Sequence, residues 1–335
     1  MVILLIDQSG WTTSQVATAA ISAAALGLSL LNFALARRSA NRNDLRSRRD
    51  DRREADRLLN AAWPNLWGRK GFAETKDQAV LDAIESAVDE AGRLDPHNPR
   101  VIEYRGHILE VQGNVKAARR LYEQSIQADP LRARAHICLG HVVEGDEKIA
   151  AFTKALTCDA TDIKNISLAH YNLANEYFRQ RSHEKANDHV EQALQHRPNY
   201  TDALVLLGRI RLEVGDRDGA RSACEKAISA SPNCIPAMVL LGLLLSATDF
   251  AAGVAWLEYA AKTDPTNDYP IIMLGAIHAD NNAPEVALRY YEQAVAINPK
   301  CGTREDITHH LAEELRALLR NRKTEADGVP SPPTA

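Results

Sequence analysis

Apolar residues recur along most of this chain at three- and four-residue spacing, the period of a helix buried on one face. Ala203, Leu204, Leu207 and Ile210 mark one such face, and Ala220, Cys224, Ala227 and Ile228 mark another. Turn signals punctuate these faces at a fixed interval. Pro96, Pro130, Pro198, Pro232, Pro265 and Pro299 are separated by 34, 68, 34, 33 and 34 residues. A proline cannot continue a helix, because it lacks an N–H and pushes the residue before it out of the α region. Gly106, Gly140, Gly208, Gly242 and Gly275 keep the same interval, with Ala174 in the one vacant place. A third series runs through Ser125, Ala155, Ala193, Ala227, Ala260 and Ala294. Small residues at these places let two helices approach closely, and Gly113 and Gly215 mark the turn between them.

A period near 34 residues predicts an all-α chain of stacked helical hairpins. Six units start near residues 99, 133, 167, 201, 235 and 268 and fill 99–302. Residues 64–98 read as a degenerate repeat or N-terminal cap. Residues 303–322 read as a C-terminal capping helix with a stripe through Ile307, Leu311, Leu315 and Leu318, and 323–335 as a disordered tail. Two units depart from the pattern. In the second, Phe152 and Ala155 arrive four residues early and the exit lengthens through Ala160–Ile166. The fifth is one residue short and has Gly253 where alanine is usual.

One unit reads Ile102, Gly106, Leu109, Gly113, Ala118, Tyr122, Ser125, Pro130; another reads Ile271, Leu274, Gly275, Ala287, Tyr291, Ala294, Pro299. These series resemble the tetratricopeptide repeat (TPR). The resemblance implies a right-handed solenoid of helical hairpins that holds a protein or peptide ligand and is not an enzyme. It also implies that the first helix of each repeat lines a concave groove. The residues then facing inward are Arg100, Glu103, Tyr104, His107, Arg134, His141, Tyr171, Asn172, Asn175, Arg179, Asp202 and Arg209, followed by Leu240, Leu243 and Met273. One half of that surface is polar and the other apolar. Members of the family that clamp a C-terminal carboxylate use Lys, Asn and Arg at inward positions. Asn175 fits one such place, whereas Leu206, Pro236 and Leu240 stand where polar groups are needed.

The N-terminal region breaks the helical-repeat pattern. After a short tail (1–11), residues 12–36 read as a transmembrane helix: no charge occurs between Asp7 and Arg37, and the uncharged run 16–36 just crosses a ~30 Å hydrocarbon core. Trp11 flanks one side, and an Arg-rich helical collar (37–63) flanks the other. This arrangement places the repeats in the cytoplasm of a single-pass membrane protein. Ala19, Ala23 and Gly27 form a row of small residues through which two anchors could self-associate. The competing reading is a cleaved signal at Ala34-Leu35-Ala36 and a periplasmic adaptor, although no basic residue precedes Arg37.

Composition refines this picture only slightly. Net charge is −4, which gives no case for nucleic acid. The average hides a collar, residues 37–57, with nine Arg against five acids. Five scattered cysteines with no C-x-x-C pair read as reduced thiols. No phosphate loop, dinucleotide fingerprint, zinc-protease motif or nucleophile elbow occurs, so no cofactor is expected. His107, His136 and His141, with Glu103, Glu110 and Glu144 nearby in sequence, are the residues to weigh for a groove metal enzyme. They read better as polar groove residues, and no metal is expected.

Overall fold

The computed structural model describes residues 37–38, 44, 46–61, 78–158, 161–298 and 315–317. They form helices and the turns that join them, with no strand among the described residues. The chain divides into two compact units, Met1–Pro130 and Leu131–Ala335.

The first unit contains α1 (described over 46–61), α2 (Gln78–Leu94), α3 (Pro99–Val111) and α4 (Val115–Ala128). Its core joins Ala55 and Leu59 to Ile84, Val88, Ala91, Val101, Tyr104 and Ile108. Apolar residues at helical spacing bury together, while Arg100 reaches Asp56 at 2.6 Å and Arg105 reaches Asp89 at 3.0 Å on the more polar faces. Tyr122 lies flat against Gly106: a Cβ there would stand 2.5 Å from its ring, so no larger residue fits without displacing it.

The second unit holds five hairpins: α5 (Ala133–Val142) with α6 (Gly145–Leu156), α7 (Ile163–Arg179) with α8 (His183–His196), α9 (Thr201–Glu213) with α10 (Arg217–Ala230), α11 (Ile235–Ser246) with α12 (Phe250–Thr263), and α13 (Tyr269–Asp280) with α14 (Pro284–Ile297). Each helix packs on its hairpin mate and then on the next helix in the chain. First helices also touch one another, α5 to α7, α7 to α9, α9 to α11 and α11 to α13. No comparable contact joins successive second helices among the described residues. Within this unit the first helices of neighbouring hairpins therefore lie closer together than the second helices do.

The periodic residues explain these elements. Asp129, Arg197, Ser231, Asp264 and Asn298 each precede a proline, and each cap their helix in an extended conformation with φ between −134° and −145°. Each cap N–H donates to the third-series residue four places back: Ser125, Ala193, Ala227, Ala260 or Ala294. The second hairpin lacks the proline, and its cap Thr157 stays in the right-handed region at φ −91°, ψ −1°. Its longer exit is taken up as helix, since α7 begins at Ile163 with Asp162 accepting from the Lys164 and Asn165 amides.

Within hairpins the chain turns at residues with positive φ: Gly113 (80°), Arg181 (60°), Gly215 (83°) and Asn282 (57°). The next residue's N–H donates five places back, as Asp216 does to the Arg211 carbonyl at 2.8 Å. At Gly208, a Cβ would lie 3.1 Å from Leu240 and 3.3 Å from the Cys224 sulfur, so α9, α10 and α11 meet there. Gly253 is tighter: a Cβ would stand 2.7 Å from the Ser246 backbone, so α11 and α12 nearly touch main chain to main chain.

The single-pass membrane placement requires correction. No described helix is long and apolar enough to cross a membrane. The strongly apolar α11 has 12 residues, about 18 Å of helix, and buries its apolar face inside the stack rather than in lipid. The 1–11 tail, the 12–36 segment with the self-association expected of it, and the 323–335 tail lie outside the described residues. So does most of 303–322; within it, residues 315–317 are helical, Leu315 packs on Ala287 and Tyr291, and Arg316 pairs with Glu292 at 2.6 Å.

Candidate functional site

The expected inward residues fall into three groups. In the first unit, Glu103, Tyr104 and His107 are buried. The Tyr122 hydroxyl donates to Glu110 at 2.6 Å, so the 2.9 Å contact between that oxygen and His107 Nδ1 has the imidazole N–H donating. Burial raises the Glu110 carboxyl above its usual range, against the pull of the Tyr122 bond. Glu103, Tyr104 and His107 are interior and offer no open surface. Arg100 is held by Asp56 and by Asn60, both at 2.6 Å.

In the second unit the polar residues lie on α5, α7 and α9. Asn172 on α7 donates its amide to His141 on α5 at 3.2 Å. Burial holds the His141 imidazole down at about 4, helped by Arg134 and Lys148 and opposed by the Asn172 bond. Tyr171 packs on Tyr200 at 5.2 Å between ring centroids, and burial lifts its hydroxyl to about 12. Glu176 gathers Arg179 at 3.1 Å and Lys148 at 4.0 Å. The Arg209 guanidinium lies over the Phe178 ring at 4.9 Å, which ties α9 to α7. Asp202, Arg179 and Arg209 are exposed, while Arg134, Asn172 and Asn175 are half-buried.

The apolar residues are largely committed to packing. Leu240 is buried against Ala220 and Cys224, and Leu243 and Met273 pack onto a core of Met238, Leu257 and Leu274. The first helix α11 contacts both α9 and α13 here. Of the expected inward residues, only Arg179, Asp202 and Arg209 are exposed; Leu243 and Met273 are half-buried, as Asn172 and Asn175 are.

One cluster has no counterpart in the sequence reading. Between α7 and α8 a column of rings alternates between the helices. His196 stacks on His170 at 6.1 Å, His170 meets His189 at 5.3 Å, and His189 stacks on Tyr177 at 5.5 Å. Lys185 closes the column over the Tyr177 ring at 5.3 Å. The signal was available: His170 and Tyr177 are seven apart on one helix, and His189 and His196 are seven apart on the next, so each pair shares a face.

Residues 177–242, from the end of α7 to the middle of α11, match the tetratricopeptide repeat family. The match covers about two hairpins, and the other hairpins stack in the same way. Solved structures agree in fold. One is the Cut9–Hcn1 hetero-tetramer of the APC/C, with TM-score 0.59 and 16% identity over 79% of this chain and 53% of that one. This chain thus spans about half the length of that relative. A TPR protein from Parabacteroides merdae gives TM-score 0.55 and 13% identity over 79% of this chain and 99% of that one. Yeast Tom70 gives 0.51 and 17% over 80% and 65%. No curated protein matches the chain.

Proposed function

We propose that the inner face of the second unit, centred on α7 and α9, binds a segment of a partner protein. The observation that supports this reading is that the first helices α7 and α9 contact each other while carrying exposed Arg179, Asp202 and Arg209 beside half-buried Asn172 and Asn175. Side-chain amides serve a peptide's main-chain groups, and the two guanidinium groups favour acidic side chains. The Cut9–Hcn1 relative was solved as a hetero-tetramer, a use of the same fold in assembly. The buried set Glu103, Tyr104 and His107 belongs to the interior in this reading.

The test is selection of a displayed peptide library on the full chain, followed by calorimetric titration of the selected peptide. Arg179→Glu with Arg209→Glu should weaken binding roughly tenfold or more, about 1.4 kcal/mol. Circular dichroism should be unchanged and melting should fall only modestly, because the Arg179–Glu176 pair and the Arg209–Phe178 contact are each worth roughly 0.5–1 kcal/mol. Arg221→Glu, on α10 and paired with Glu225 at 2.8 Å, should leave binding intact. Equal damage from Arg221→Glu, or none from the pair, would move the binding surface away from α7 and α9.

A further inference from the structure

We propose that His170 and His189 form a two-histidine chelate for a divalent ion of the zinc, nickel or copper class, clamping α7 to α8 with His196 as the next imidazole at hand. Their Nδ1 atoms stand 3.0 Å apart, so one donates its proton to the other. Two neutral imidazoles bound tetrahedrally to zinc at 2.0–2.1 Å would have nitrogens about 3.3–3.4 Å apart. An opening of a few tenths of an ångström therefore exchanges the shared proton for a metal ion. The proton balance is simple. The donating ring moves its proton from Nδ1 to Nε2, both rings stay neutral, and both Nδ1 lone pairs face the ion.

The surroundings favour a cation. The two histidines are half-buried, so water and ions reach them while the rings stay fixed. His196 holds one side of the pair by stacking on His170, and Tyr177 holds the other by stacking on His189. The orientation is thus set before the ion arrives, which lowers the ordering cost of binding. The Asp188 carboxylate acts on the His189 ring and offsets part of the ion's charge. Lys185 is kept at the far side of Tyr177. Imidazole pairs suit zinc, nickel and copper, whereas magnesium and calcium prefer oxygen ligands.

The experiment uses the tag-free full chain, stripped of metal and titrated with zinc chloride by calorimetry at neutral pH. We expect a binding event that weakens roughly tenfold or more in both His170→Gln and His189→Gln, a loss already typical when only a supporting partner of a metal ligand is removed. His97→Gln, at an exposed histidine of the first unit, should bind as the unaltered chain does. A second readout needs no variant. Because the ion bridges two helices only in the folded state, zinc should raise the melting temperature of the unaltered chain. Unchanged affinity in both glutamine variants, or no melting shift at saturating zinc, would overturn the proposal. Neither result bears on the peptide-binding face, because the Arg179 and Arg209 variants leave this pair in place.

Discussion

Gly215 shows how one residue's backbone shapes a hairpin. Its φ of 83° lies in the left-handed region, and beyond its own chain neighbours no atom stands within 4 Å of where a Cβ would be. Gly215→Ala therefore meets no steric contact, and the whole cost is the backbone penalty, roughly 1–2 kcal/mol. Thermal or urea unfolding should show that loss, and an unchanged midpoint would mean that the turn relaxes freely. The glycines at 113 and 215 announced these turns. Arg181 and Asn282 hold the same geometry at φ 60° and 57° without a glycine, so composition alone concealed them. Arg181 is kept in place by position rather than propensity. The Ser182 N–H donates to the Tyr177 carbonyl at 2.9 Å, and the guanidinium reaches Glu213 at 3.0 Å. Tertiary register overrides local preference there, which a single sequence does not reveal.

Helix pairs were more legible than single residues, because three independent series repeat at one interval and each has a packing reason. Proline sets the extended cap, the third-series residue receives the cap's hydrogen bond, and the midpoint glycine admits the neighbour's ring or sulfur. The irregular hairpins show where periodicity stops short. The sequence shows the lengthened exit of the second repeat but not its conformation: without a proline, nothing prevents residues from 163 onward from joining α7. At Gly253 the sequence reports only an unusual glycine; the structure supplies the cause, the Ser246 backbone. Gly253→Ala gains up to ~1 kcal/mol of helix propensity. Against this, a Cβ 2.7 Å from main-chain atoms forces α11 and α12 apart, since backbone cannot rotate away as a side chain can. The expected net effect is destabilisation of roughly 1–3 kcal/mol, read from the denaturation midpoint. A more stable variant would show that the two helices separate at little cost.

At the largest scale, the repeat phase gives equivalent positions in successive first helices but not their accessibility. Phase places His107 and His141 alike, yet His107 is buried and its ring donates to Tyr122, while His141 accepts from Asn172 on the next first helix. Which inward residues remain open depends on how closely successive helices approach, and one helix's pattern does not encode that distance. The His141–Asn172 tie makes a pH prediction that tests this packing. Burial holds His141 at about 4 in the folded state, against about 6.5 when unfolded. The unfolded chain therefore takes up this proton first as pH falls. The stabilisation is complete above about 6.5, declines as pH falls from there, and is exhausted near 4, an effect of up to ~3 kcal/mol. Melting temperature should thus drop across that window. His141→Gln keeps an acceptor for the Asn172 amide and removes the titrating ring. Its melting temperature should vary less with pH across the window, even if it is lower at pH 7 through lost packing on Phe152, whose ring meets His141 edge-on at 5.7 Å. If the variant and the unaltered chain lose the same number of degrees between pH 7 and pH 4, His141 is open to water. The contact between α5 and α7 would then be looser than the 3.2 Å bond implies.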